Sequence, residues 1–127
     1  VVTRENRIIS TGYAGSPSGL PHCDEVGHEM HTSINEDGLE TRHCIRAVHA
    51  EQNAICEAAR MGLALNGATL YVKMTPCYTC AKMIINTGIK RVVCSHDHHN
   101  GEKSKQIFKE AKIDFILLSE DKIQYED

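Results

Sequence analysis

Regular alternation of apolar and polar positions begins only past the first third of the chain. Val48 to Met61 (VHAEQNAICEAARM) carries its apolar residues on a helical period and meets Gly62 at its end, so a helix is expected there. Thr69-Leu70-Tyr71-Val72 reads as a short buried strand. Cys77 to Thr87 reads as a second helix, started by Pro76 and stopped by Gly88. Lys90 to Cys94 follows as a strand, Glu102 to Ala111 as a helix and Asp114 to Leu118 as a last strand. Within these elements Cys56, Met83, Ile84 and Ile85 read as core residues.

The first third is different. Val1-Val2, the polar turn Thr3-Arg4-Glu5-Asn6 and the segment Arg7-Ile8-Ile9-Ser10-Thr11-Gly12 read as a β-hairpin entered at the end of its first strand. There is no initiator Met, so a helix and most of a strand are expected ahead of Val1. Gly15 to His43 is rich in Gly, Pro, His and acidic residues and has no clear period; it reads as a long loop with one helical turn. The βαβαβαβ order implies a largely parallel sheet covered by helices, in a single domain over residues 1–127.

Composition narrows the picture. With 41% apolar and 24% charged residues the 127-residue chain has the balance of an ordinary folded domain. No apolar run approaches the roughly 20 residues of a membrane helix, and no leader is visible at Val1-Val2-Thr3-Arg4-Glu5, so a cytoplasmic protein without a membrane partner is expected. A net charge of −3 argues against a long nucleic-acid partner but leaves room for a small anionic substrate. Six Cys beside eight His, with no sign of secretion, favour metal over a disulfide framework.

Two segments carry the candidate chemistry: His49-Ala50-Glu51 and Pro76-Cys77-Tyr78-Thr79-Cys80. Both fall at expected helix N-termini, where free N–H groups and the helix dipole favour thiolates. Two thiolates and one imidazole make a three-ligand zinc site with its fourth position open, the arrangement of catalytic zinc. Glu51, two residues after His49, suits proton transfer beside that position better than ligation. A lone C-x-x-C also reads as a redox pair; the combination H-x-E with P-C-x-x-C is the signature of zinc deaminases.

On these residues the chain resembles the deoxycytidylate (dCMP) deaminases and the similar competence-operon proteins over essentially its whole length. The stretches concerned are GYAGSPSGLPHCDEVGH, HCIRAVHAEQNAI and TPCYTCAKMIINTGIKRVV. The resemblance implies a three-layer αβα cytidine-deaminase-like fold, with a central five-stranded mixed sheet and helices on both faces. It implies zinc on His49, Cys77 and Cys80 and Glu51 as proton shuttle. The implied reaction is hydrolytic: Glu51 takes a proton from zinc-activated water, protonates N3 of the pyrimidine, and returns a proton to the amino group lost from C4. The Ala50 N–H would meet the pyrimidine O2, the Thr75 carbonyl would accept from the amino group, and Asn53 stands at the family's HAExNAI asparagine.

The implied substrate is deoxycytidine monophosphate. Free-cytidine deaminases have Cys-Ala-Glu where His49 stands, and tRNA adenosine deaminases lack the long insert of residues 16–48 and are more basic. Two positions depart from the family pattern: Ala14 replaces an asparagine expected near the nucleotide, and His96-Asp97-His98-His99 stands where a tyrosine-bearing loop is common. Those histidines read equally as phosphate contacts or as a solvated loop. Arg42 and Arg46 read first as surface charges, with phosphate binding as the alternative. The resemblance also implies a second, structural zinc, for which Cys23, His28 and Cys44 are the candidates among His22, Cys23, His28, His31, His43 and Cys44. Homo-oligomers, dimer or hexamer, and deoxycytidine and thymidine triphosphate effectors are implied in the same way. Two readings stay open beside it: deamination of another base (tRNA adenosine or guanine), and a zinc-stabilised binding module without turnover.

Overall fold

The computed structural model describes residues 1–34, 38–98, 101–119 and, for the backbone, 122–123. Strands β1 (Val2–Arg4) and β2 (Arg7–Ser10) form the opening hairpin. Their turn residues Glu5 and Asn6 both take positive φ, 54° and 62°, the conformation a tight hairpin needs to match the strand twist. The segment after it contains one helical turn, α1 (Cys23–Val26), and then a separate antiparallel pair, β3 (Met30–Ile34) with β4 (Glu40–Cys44). This pair corrects the expectation of a loop over residues 15–43. MHTSI is exposed past Met30, and ETRHC is half-buried at Thr41, His43 and Cys44, but neither carries the apolar alternation that marks a half-buried strand, so only their mutual pairing defines them.

The remainder alternates. Helix α2 (Ala50–Met61) leads to β5 (Thr69–Met74), α3 (Tyr78–Thr87) to β6 (Arg91–His98), and α4 (Glu102–Glu110) to β7 (Asp114–Leu117); β8 (Lys122–Ile123) adds a short parallel pairing to the end of β6. The main sheet runs β2-β1-β5-β6-β7. It is parallel from β5 to β7 and antiparallel on the β1–β2 side, a mixed five-stranded α/β sheet of the kind the resemblance implied. Helix α3 packs between α2 and α4, giving a row of helices against the sheet.

The core lies between that row and the sheet: Val2, Leu70, Val92 and Cys94 from the strands meet Ala54, Ala58, Ile84 and Phe108 from the helices. Small residues on α2 let it approach closely. Three expectations about packing change. Cys56 is exposed, because the buried face of α2 follows Ala54 and Ala58 and position 56 points away from it. Ile84 is fully buried and Ile85 packs at the core edge, but Met83 is only partly covered and outside the core cluster. Strand β6 does not end at Cys94. It continues through His98, sustained by pairing of His96 with Met74 and of Asp97 and His98 with β8. His96 to His98 are therefore strand residues; His99 lies outside the described residues.

No helix among the described residues is long and apolar enough to cross a membrane.

Candidate active site

Parallel strands gather their C-terminal ends, and with them the N-termini of the following helices, at one edge of the sheet. His49 is the N-cap of α2 and Cys77 the N-cap of α3, both extended, with Cys80 in the first turn of α3. The Gln52 side chain fixes the start of α2 by accepting from the His49 N–H at 3.0 Å. At α3 the cap is the thiol itself: Cys77 Sγ accepts from the Cys80 N–H at 3.5 Å.

The ligand atoms of His49, Cys77 and Cys80 all lie within 4.8 Å of one another. His49 Nδ1 stands 3.3 Å from Cys80 Sγ and 3.5 Å from Cys77 Sγ. A tetrahedral zinc at ordinary bond lengths holds its nitrogen and sulfur ligands about 3.5 Å apart, so this donor set has the spacing as well as the chemistry for that ion. The electrostatics agree. The Cys80 thiol beside it, helped by His49 and opposed by burial, brings Cys77 down to about 4. That same contact pushes Cys80 up, and the Cys77 sulfur raises His49. One thiolate thus already faces an imidazole and a thiol before any ion adds its charge.

Glu51 follows on the first turn of α2, in contact with Cys80; burial raises its carboxyl above the ordinary range. Next to it the chain from β2 passes very close to α2. The Ser10 hydroxyl donates to the Ala54 carbonyl at 2.6 Å, and a Cβ at Gly12 would collide with the Ala50 carbonyl oxygen and the Ala54 nitrogen. Asn53 Nδ2 donates to the Tyr13 carbonyl at 2.7 Å, while Gly15 and Val48 exchange backbone bonds of 2.8 and 3.2 Å. Ala14 sits exposed between these two anchors, on the rim of the site. Asn53 therefore spends its amide donor on the rim.

Thr75, at the other wall, is buried, and its hydroxyl donates to Asp97 Oδ1 at 2.8 Å. Asp97 also takes Lys105 Nζ at 2.6 Å. Neither Asp97 nor Lys105 was singled out from the sequence as part of the site. The available signal was an acidic residue just beyond a buried strand, followed eight positions later by a lysine one turn into a helix. Arg42 stands exposed on β4; Arg46, between β4 and α2, has its Nε buried.

A second cluster lies apart from the first. Ligand atoms of Cys23, His28 and Cys44 fall within 4.8 Å of one another, with 3.7 Å between the two sulfurs. That distance is far beyond a disulfide and near the ~3.8 Å of two thiolates on one tetrahedral zinc. Burial works against the Cys44 thiolate, but N–H groups of Ala47 and Glu29 and the His28 side chain outweigh it and bring Cys44 to about 6. His31 and His43 face each other across the β3–β4 pair, outside this cluster.

The family model of the cytidine and deoxycytidylate deaminase zinc-binding region matches residues 1–96, which include every ligand of both clusters. The chain belongs to this family. It is 36% identical to ComE operon protein 2 of Bacillus subtilis, over 88% of this chain and 54% of that protein. It is 40% identical to the deoxycytidylate deaminase of Saccharomyces cerevisiae, over 89% of this chain and 35% of that enzyme. The chain thus spans about half the length of the first relative and about a third of the second. Among solved structures, the dCMP deaminase of cyanophage S-TIM5 in complex with dCMP and dUMP matches with a TM-score of 0.70 at 25% identity, covering 92% of this chain and 77% of that one.

Proposed function

We propose that this family member is a zinc-dependent hydrolase that converts deoxycytidine monophosphate to deoxyuridine monophosphate and ammonia. The observation that carries the reading is the juxtaposition of a His–Cys–Cys donor set with the half-buried Glu51 carboxyl, on two helix N-termini that face each other. A purely structural zinc site has no use for a carboxylate beside its open position, which weighs against the binding module.

His49, Cys77 and Cys80 would hold zinc, which would supply the Lewis acidity that lets water lose a proton near neutral pH. Glu51 takes that proton and passes one to N3, which makes C4 electrophilic. The oxygen adds to C4; Glu51 then takes the proton left on that oxygen and delivers it to the amino nitrogen, and the C4–N bond breaks as the C4=O bond forms, releasing ammonia. The Ala50 N–H on the first turn of α2 receives the pyrimidine O2, and the Thr75 carbonyl orients the amino group. Asn53 acts on the substrate through the rim it anchors. The raised Glu51 carboxyl fits a group that must carry a proton as readily as it gives one up.

Support for deoxycytidylate as substrate comes from the named activities of the relatives, from the nucleotides bound to the cyanophage enzyme, and from a net charge of −3 that disfavours tRNA. Ammonia release decides it, from a panel of deoxycytidine, its mono- and triphosphates, cytidine monophosphate, guanine and an adenosine-containing tRNA stem-loop. The monophosphate is expected to lead clearly over the bare nucleoside, because a phosphate contact realised in the transition state raises kcat/KM. Faster turnover of the nucleoside, guanine or the stem-loop would reject deoxycytidylate and leave zinc deamination standing.

The same reading includes a second, structural zinc on Cys23, His28 and Cys44, tying α1 and the following segment to the end of β4. It also includes a cytoplasmic homo-oligomer that responds to deoxycytidine and thymidine triphosphates.

A further inference from the structure

A buried polar network adjoins the metal ligands without including them. Asp97, near the end of β6, is only 3% exposed, and its two carboxylate oxygens have different partners. Oδ1 accepts from the Thr75 hydroxyl at 2.8 Å; Oδ2 accepts from Lys105 Nζ at 2.6 Å. Lys105, one turn into α4, also reaches Glu102 Oε1 at 3.2 Å. Thr75 is held a second time, through its N–H, by the His96 carbonyl at 3.1 Å. Gly101, the N-cap of α4, lets that helix close on the network: a Cβ there would stand 3.0 Å from both Asp97 Oδ1 and Thr75 Cγ2.

Stability alone is a poor reason for such an arrangement. A buried carboxylate is costly unless cation and donors meet it, and an apolar group of similar volume fills the space without that cost. What the network secures is direction. Thr75 precedes Pro76 and the ligand Cys77, and its N–H and its hydroxyl bond to adjacent residues of one strand; the first holds the Met74–Thr75 peptide and the second the Thr75 side chain, which together restrict the backbone leading into the Thr75–Pro76 peptide. The proposed mechanism needs the carbonyl of the Thr75–Pro76 peptide to meet the 4-amino group.

We propose that Asp97, anchored by Lys105, is a positioning residue for the deamination step. Through the Thr75 hydroxyl it fixes the backbone from Thr75 to Cys77 and aims the Thr75 carbonyl at the amino nitrogen. The proposal rests on the deaminase reading above, so its test has one arm that needs no substrate.

That arm is backbone hydrogen exchange in the zinc-loaded protein. Asp97→Asn, Lys105→Met and Thr75→Val are each expected to speed exchange of the Thr75 amide, which donates to the His96 carbonyl, about tenfold, the amides of Val92 to Cys94 staying protected as in the parent. Lys109→Met, on the same helix and exposed, is the control and changes neither. The second arm is kinetic. Asp97→Asn and Thr75→Val should lower kcat about 10- to 100-fold, as misplaced contacts do, with KM changed less than about threefold and zinc content intact. Thr75→Ser keeps the donor and should recover most of that loss; a role in stability alone would not follow the hydroxyl in this way. Unaltered exchange of the amide at position 75 in Asp97→Asn and Thr75→Val overturns the proposal, as does kcat within twofold of the parent in both. A parent that prefers another base refutes only the substrate, and the kinetic arm then runs on the base it deaminates.

Discussion

At the scale of single residues the site depends on one acid in the right place. Glu51 can be a proton carrier because it shares the first turn of α2 with the N-cap ligand His49 while its own side chain reaches Cys80. Glu51→Gln keeps size and hydrogen-bonding reach but cannot move protons. It is expected to retain zinc and fold and to lose turnover by about 10²–10⁴-fold, or more for a group that serves several steps. Metal analysis beside a kcat measurement checks it, and activity within a few-fold of the parent would remove Glu51 from the mechanism. His49, Glu51, Cys77 and Cys80 could be picked from the sequence because each pair lies within a few positions on one helix start, so local spacing carries the geometry. Asp97 could not. Its partners Thr75 and Lys105 come from two other elements, and nothing in the local run SHDHH separates a buried carboxylate from a solvated one.

Elements were legible where caps and periodicity coincide. The αL residues Gly62 and Gly88 end α2 and α3 at the positions the pattern indicated, and the strands with continuous apolar runs fall where expected. The β3–β4 pair was not legible, since its half-covered positions Met30, Thr41, His43 and Cys44 are mostly polar and leave no hydrophobic period. Extension of β6 to His98 was hidden for a related reason: its sequence turns polar while its pairing partners continue. Two glycines separate local from positional roles. Gly62 has φ +70° and open space around it, so Gly62→Ala should cost only about 1–2 kcal/mol of backbone strain and leave the kinetics alone. At Gly12 the added Cβ meets the α2 backbone between Ala50 and Ala54. Gly12→Ala should therefore destabilise by about 1–3 kcal/mol and also lower kcat, because the turn that must shift carries Glu51. Denaturant midpoints and kinetics of both variants test the distinction; equal kinetic losses would show that the close approach has no special bearing on the site.

For the whole molecule, metal acts as a long-range cross-link in a small domain. On the proposed reading, zinc on the first cluster would join the start of α2 to the start of α3, and zinc on the second would join α1 to the end of β4. The second link would matter more to architecture, because β3 and β4 pair with each other and stand apart from the main sheet. Since a metal that binds the folded chain stabilises it by RT ln(1 + [L]/Kd), each site should shift the unfolding temperature separately. The parent is expected to hold two zinc ions per chain. Cys44→Ser should hold one, unfold at lower temperature, and show faster hydrogen exchange over α1, β3 and β4 than over β5 and β6. Cys80→Ser should also hold one, with the exchange contrast reversed toward the starts of α2 and α3 and with turnover abolished. Zinc counting by elemental analysis and exchange on the same samples make the test. A parent with a single zinc that Cys80→Ser removes and Cys44→Ser does not would leave Cys23, His28 and Cys44 as an unmetallated cluster, with the lowering of Cys44 explained by its N–H donors and the His28 side chain.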